Sequence, residues 1–131
     1  MSSQPTILLV EDEVFQRNSL SLMLQKEGYC VTAVEDGLAA LTQLASREFD
    51  IVLSDLRMPN LAGMDLLKEI KARGIKAKVI LITAYGEAKD AVRALKAGAY
   101  DFIEKNQSTD EELKSAMKRA LSSQYQERIY R

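Results

Sequence analysis

The stretch Ile51-Val52-Leu53-Ser54-Asp55-Leu56-Arg57-Met58-Pro59-Asn60 (IVLSDLRMPN) decides how this chain folds. Three apolar β-formers run straight into one carboxylate, and Pro59-Asn60 then turns the chain. A short run that is apolar without alternation suits a strand covered on both faces, as in a parallel sheet flanked by helices. A carboxylate at the end of such a strand either caps the next segment or stands on the rim where open α/β sheets bind their ligands.

Outward from that stretch, similar β-branched segments occur at Thr6 to Val10, Tyr29 to Val34, Phe49 to Ser54, Lys78 to Ile82 and Tyr100 to Glu104. Between them the apolar spacing turns helical, at Val14 to Glu27, Leu38 to Ser46, Gly63 to Ala72, Glu87 to Ala97 and from Asp110 onward. Gly28, Gly74 and Gly98 each follow a helical segment, where a left-handed residue closes the last turn. Asp36 is placed to cap the second helix, and Thr109 with Glu112 reads as a capping box for the last. Strand and helix alternate throughout, which predicts an α/β fold with a doubly wound five-stranded parallel sheet and five helices.

At 131 residues and 47% hydrophobic, the chain has the size of one domain with a sizeable core. Its longest aliphatic runs, Ile7 to Val10 and Val79 to Ile82, are far too short to span a bilayer, and no signal-peptide core follows Met1. A soluble, cytoplasmic protein with no membrane partner is expected. Eighteen basic against 19 acidic residues give a net charge of −1, which argues against a nucleic-acid-binding surface. There is no His, so the commonest general base and phosphoryl carrier is missing, and chemistry falls to carboxylates, hydroxyls and lysines. The lone Cys30 cannot form an internal disulfide and reads as a buried, inert strand thiol.

Ligands of an open parallel sheet sit beyond the carboxyl ends of its strands. There the sequence puts Glu11, Asp12 and Glu13 after the first strand, Asp55 at the end of the third, Thr83 after the fourth and Lys105 after the fifth. With strand order 2-1-3-4-5, Asp12 and Asp55 face each other across the switch point, and carboxylates that close call for a cation. Oxygen donors without His or Cys suit Mg²⁺, which keeps several waters and often completes its shell with a phosphate oxygen. Thr83 and Lys105 then make sense as a hydroxyl donor and an ammonium around a phosphoryl group, with one carboxylate able to act as nucleophile. Glu35 and Asp36, farther from the switch point, read as a solvent-facing charge and a cap.

Together these residues resemble the receiver domain of bacterial two-component response regulators, over about Thr6 to Leu121. The motifs are ILLVEDE with Glu11 and Asp12, DIVLSDLRMPNLAGMDLL around Asp55, VILITAYG with Thr83, and AGAYDFIEK with Tyr100 and Lys105. The second and fourth look most like receivers of nitrogen-regulation-type transcriptional activators. The resemblance implies the flavodoxin-like receiver fold and a role as a signalling switch rather than an enzyme acting on other substrates.

By the same resemblance, Asp55 accepts a phosphoryl group from a phosphohistidine on a sensor histidine kinase or phosphotransfer protein. Asp12 and Asp55 bind Mg²⁺ directly, Glu11 does so directly or through water, and the Arg57 backbone carbonyl adds a ligand. Lys105 holds the phosphoryl oxygens. Thr83 moves toward the phosphate and Tyr100 turns inward, changing the surface of the fourth helix, fifth strand and fifth helix. That surface is where an output domain, an effector or a second copy of the chain would bind.

The family usually has a proline with a cis bond after the lysine. Asn106 stands there in this chain, and a trans link is expected. Arg57 and Tyr85, each two residues past a site residue, are placed to overhang the pocket and tune water access.

Residues 1–121 are expected to form the receiver domain. The stripe Leu113, Met117, Leu121, Tyr125, Ile129 carries the last helix on, so 122–131 read as an extension toward an output domain or partner. A flavin-binding relative of the same topology would not set Glu11-Asp12-Glu13 against a phosphate. A phosphate-binding G-x-x-x-x-G-K-[ST] loop is absent, and Arg57 occupies the second aspartate position of a D-x-D phosphatase. The remaining rival is a receiver-like interaction module that is not phosphorylated in use.

Overall fold

The computed structural model describes residues 4–84, 88–105 and 109–129, with side chains through residue 123. Five strands alternate with five helices: β1 (Thr6–Val10), α1 (Val14–Lys26), β2 (Cys30–Val34), α2 (Gly37–Ser46), β3 (Ile51–Asp55), α3 (Gly63–Ala72), β4 (Lys78–Thr83), α4 (Ala88–Lys96), β5 (Asp101–Glu104) and α5 (Thr109–Ile129). All strand pairs are parallel, and the sheet order is β2-β1-β3-β4-β5.

Successive residues of a strand point to opposite faces, so each central strand feeds two cores. Leu8, Val10, Val52, Val79 and Leu81 pack with Leu66, Leu67 and Ile70 of α3, Ala40 and Leu44 of α2, and Ala94 of α4. Ile7, Leu9, Ile51, Leu53, Ile80 and Ile82 pack with Leu24 of α1 and with Leu113, Ala116, Met117 and Ala120 of α5. Right-handed crossovers require this division, because the connections from β1 to β2 and from β2 to β3 run in opposite directions along the sheet. A fully buried Leu or Ile contributes about 1.5–3 kcal/mol, so the near-continuous apolar strands dominate the stability.

Several boundaries follow from local chemistry. Glu13 caps α1 by accepting from the Phe15 and Gln16 amides, and Asp36 caps α2 by accepting from Ala39. Gly28, Gly74 and Gly98 have φ of 94°, 70° and 107°, the left-handed conformation expected after a helix. Thr109 is already the first helical residue of α5, one position later than the expected capping box puts it, and the residues just ahead of it lie outside those described. β5 starts at Asp101 rather than Tyr100, and β3 runs on to include Asp55.

Cys30 is exposed, contrary to the expected buried thiol. Its strand is an edge of the sheet, and helix cover there is incomplete, leaving both Cys30 and Ala33 exposed. Leu113 and Met117 are fully buried, and Leu121 packs at the margin of the same core. The Tyr125 and Ile129 side chains lie outside the described residues. Among the described residues, no helix is long and apolar enough to cross a membrane.

Candidate functional site

The sheet register explains why the polar residues meet. Val10 pairs with Ser54, Asp55 with Ile82 and Thr83 with Glu104, so the strands end nearly level along one edge. The next residues on each strand are therefore neighbours. Glu11, Asp12 and Asp55 each bring a carboxylate oxygen within 4.8 Å of the others. With Glu13, Gln16, Arg57, Thr83, Ala84 and Lys105 they line a cleft of about 220 Å³.

Lys105 reaches into this cleft. Its Nζ donates to Glu11 Oε1 at 3.2 Å, to Asp55 Oδ2 at 3.4 Å and to Gln16 Oε1. Its backbone amide is held by the Thr83 carbonyl at 2.7 Å, which ties the end of β5 to the end of β4. One ammonium thus lies against two carboxylates of a cluster of three.

Glu11 is only 1% exposed. Burial pushes its carboxyl above the usual carboxylate range. The Glu13 amide, donating to Glu11 Oε2 at 3.0 Å, opposes that shift, nearby Asp55 adds to it, and Lys105 offsets part of it. Behind the loop, the Arg17 guanidinium donates to the carbonyls of Glu11 at 2.8 Å and Asp12 at 3.3 Å, holding the turn that presents both acids. Asp55 accepts the Arg57 amide on Oδ1 at 3.3 Å, which leaves its other oxygen directed toward Lys105.

The cluster brings together Glu11, Asp12, Asp55, Arg57, Thr83 and Lys105, all named from sequence. Thr83 is the last residue of β4 and is 1% exposed. Tyr100 is not brought to the cleft. It precedes β5, packs at the margin of the α1/α5-side core and carries the Lys78 ammonium 5.9 Å from its ring centre. The aromatic on the other face is Phe102. It pairs with Leu81, two residues before Thr83, and packs with the α2/α3/α4-side core that Leu81 joins. The period of two puts Thr83 on that same face. Gln16 and Arg17 were not singled out from sequence, because only the fold shows that the first turn of α1 borders the cleft. Tyr85 and Asn106, with the Lys105–Asn106 link, lie outside the described residues.

A five-stranded parallel domain with an acid cluster and an ammonium at its switch point belongs to the class of open α/β domains whose ligands sit at the carboxyl edge of the sheet. More particularly, the chain belongs to the response regulator receiver domain family, whose model matches residues 7–118. It is 38% identical over 105 residues to the transcriptional regulatory protein FixJ of Bradyrhizobium diazoefficiens, covering 80% of this chain and 51% of that protein. It is 38% identical over 124 residues to the regulatory protein AtoC of Escherichia coli, covering 95% of this chain and 27% of that protein.

Among solved structures, the amino-terminal domain of FixJ superposes with a TM-score of 0.83 at 35% identity, covering 92% of this chain and 96% of that one. NtrX from Brucella abortus superposes with a TM-score of 0.88 at 32% identity, covering 98% of this chain and 29% of that one. The fold and the likeness to activator receivers therefore stand as the sequence indicated. The chain spans about half the length, or less, of these two curated relatives. Membership in this family implies phosphorylation-dependent signalling.

Proposed function

We propose that the chain is a signalling switch that accepts a phosphoryl group onto Asp55 from a phosphohistidine of a sensor histidine kinase or phosphotransfer protein. The observation that carries this reading is the Lys105 ammonium bonded to both Asp55 and Glu11 at the strand edge. An Asp55 carboxylate oxygen attacks the phosphorus, the P–N bond of the donor breaks with its electron pair passing to the imidazole, and an acyl phosphate forms. Lys105 neutralises the equatorial oxygens and the Thr83 hydroxyl donates to one of them. Water later cleaves the acyl phosphate and returns the carboxylate, so the chain promotes its own phosphorylation and dephosphorylation. Arg57, exposed at the rim, is placed to tune that water's access.

The donor set suits a magnesium ion: the carboxylate oxygens of Glu11, Asp12 and Asp55 are hard ligands within 4.8 Å of one another. Asp12, Asp55 and the Arg57 carbonyl would hold it, with Glu11 bound directly or through water. When bound, the ion offsets carboxylate repulsion and the negative charge of the incoming phosphoryl group.

Phosphorylation draws Thr83 toward the new oxygens, and the space it leaves lies on the face of Phe102. We assign the inward-turning aromatic to Phe102 rather than Tyr100 on that ground. The changed surface is that of α4, β5 and α5, where an output domain, an effector or a second copy binds. Among the described residues Ala120 is the last buried one of α5, and the helix runs on to Ile129 toward such a partner.

Incubation with Mg²⁺ and a small phosphodonor tests the reading. Intact mass should rise by one phosphoryl group, and the gain should vanish in Asp55→Asn. No gain with the small donor or a competent kinase would favour a receiver-like interaction module instead.

A further inference from the structure

Asp36 does more than cap α2. Its Oδ1 accepts the Ala39 amide at 2.8 Å, and its Oδ2 accepts the Asn60 side-chain amide at 3.1 Å, 24 residues away in sequence. Asn60 and Leu61 are the non-glycine residues with positive φ among those described, at 52° and 93°. Asparagine tolerates that region; leucine does so only when its surroundings enforce it. The enforcement is visible at Gly37, the first residue of α2. A Cβ there would lie 2.5 Å from the Leu61 carbonyl oxygen, so the loop rests directly on the helix start.

The other end of the same loop is pinned beneath the cleft. Gly63 donates to the Leu56 carbonyl at 2.9 Å, and a Cβ on it would stand 2.4 Å from the Asp55 carbonyl oxygen. The segment from Leu56 to Ala62 is therefore stretched between the end of β3 and the start of α2. It carries Arg57, whose amide steadies Asp55 Oδ1.

We propose that Asp36 and Asn60 are positioning residues: their hydrogen bond clamps the β3–α3 loop against α2, and the clamp sets the Arg57 carbonyl and the Asp55 carboxylate for a divalent cation. This rests on the reading of the acid cluster as a magnesium site. Outer groups that orient ligands tune metal affinity even though they never touch the ion.

Two variants separate the clamp from folding. Asp36→Ser keeps a side-chain cap for α2 but loses the second oxygen, and Asn60→Gly keeps access to positive φ but loses the donor. Mg²⁺ affinity is measured on the full chain by calorimetry, alongside amide hydrogen exchange at residues 57 and 60–63. Each variant should weaken Mg²⁺ binding about tenfold and speed exchange in the loop. The double variant should lose no more than the worse single one, because both remove one shared bond.

Single variants within twofold of the parent, or losses that multiply in the double variant, would overturn the clamp. A parent protein whose Mg²⁺ binding is absent, or survives Asp55→Asn, would instead overturn the metal site. Loop exchange would then decide the clamp alone: faster exchange in Asp36→Ser upholds it, and unchanged exchange removes it.

Discussion

The Lys105 ammonium has three protons, and Glu11, Gln16 and Asp55 supply an acceptor for each. That leaves three clustered carboxylates sharing one positive charge, so the metal-free protein carries repulsion it would lose with one acid. Asp12 is the exposed member, and Asp12→Asn should raise the melting temperature without Mg²⁺ by about 2–4 °C, from roughly 0.5–1 kcal/mol of relieved repulsion. Scanning calorimetry with and without Mg²⁺ checks this, and the variant should also show a smaller Mg²⁺-induced rise than the parent.

At Asp36 the Ala39 amide, and then Asn60, hold the carboxyl below its ordinary value of 3.8. A depressed carboxyl stabilises the fold above its unfolded pKa, and that contribution is lost as pH falls through the folded value. The melting-temperature gap between the parent and Asp36→Asn should therefore be constant above about pH 5 and shrink on acidification below the ordinary carboxylate range. A gap that widens toward acid would show the opposite linkage. The cap at Asp36 was legible in the sequence; its bond to Asn60 was not, because nothing local links positions 24 residues apart.

Among the elements, β1 and α3 coincide with the sequence reading because β1 is an unbroken apolar run and α3 a clear helical one, each between plain boundaries. In β2 the burial of Cys30 was misjudged: its setting between Tyr29 and Val31 suggested a buried thiol, although the expected order 2-1-3-4-5 already makes that strand an edge. Tyr100 lies off the cleft for a local reason: β5 starts one residue later than its apolar pattern suggested, so Tyr100 falls outside the strand's alternation and packs on the α1/α5 side.

The start of α3 gives a sharp prediction. A Cβ at Gly63 meets backbone rather than a yielding side chain, so Gly63→Ala should cost about 3 kcal/mol by urea unfolding. At α1 the reverse holds. Phe15 is 79% exposed beside the cleft, so Phe15→Ala should change stability by less than about 0.5 kcal/mol. On the proposed reading, a protein donor that brings its imidazole to Asp55 covers that rim. The same variant should slow transfer from a kinase while leaving phosphorylation by a small donor unchanged, as paired rate measurements would show.

Across the whole molecule, the site is a product of topology. Parallel strands of matched register end along one edge, and reversal of direction between β1 and β3 opens that edge to a ligand. That is why acids, hydroxyl and lysine scattered from Glu11 to Lys105 were readable as a single site from sequence. What sequence could not give was the support: Arg17 behind the acid turn, Gln16 on the lysine, and the α2 start beneath the loop. Those contacts depend on how helices sit on the sheet, not on which residue comes next after each strand.

If Asp55 is the nucleophile, its acyl phosphate can be located chemically. After exposure to Mg²⁺ and a small phosphodonor, borohydride reduction converts a phosphorylated aspartate to homoserine, which peptide mass spectrometry assigns to a position. The expected result is homoserine in place of Asp55 and at no other aspartate. Reduction at Asp12 or elsewhere, or no reduced residue in protein that has gained the phosphoryl mass, would rule out Asp55 as the nucleophile.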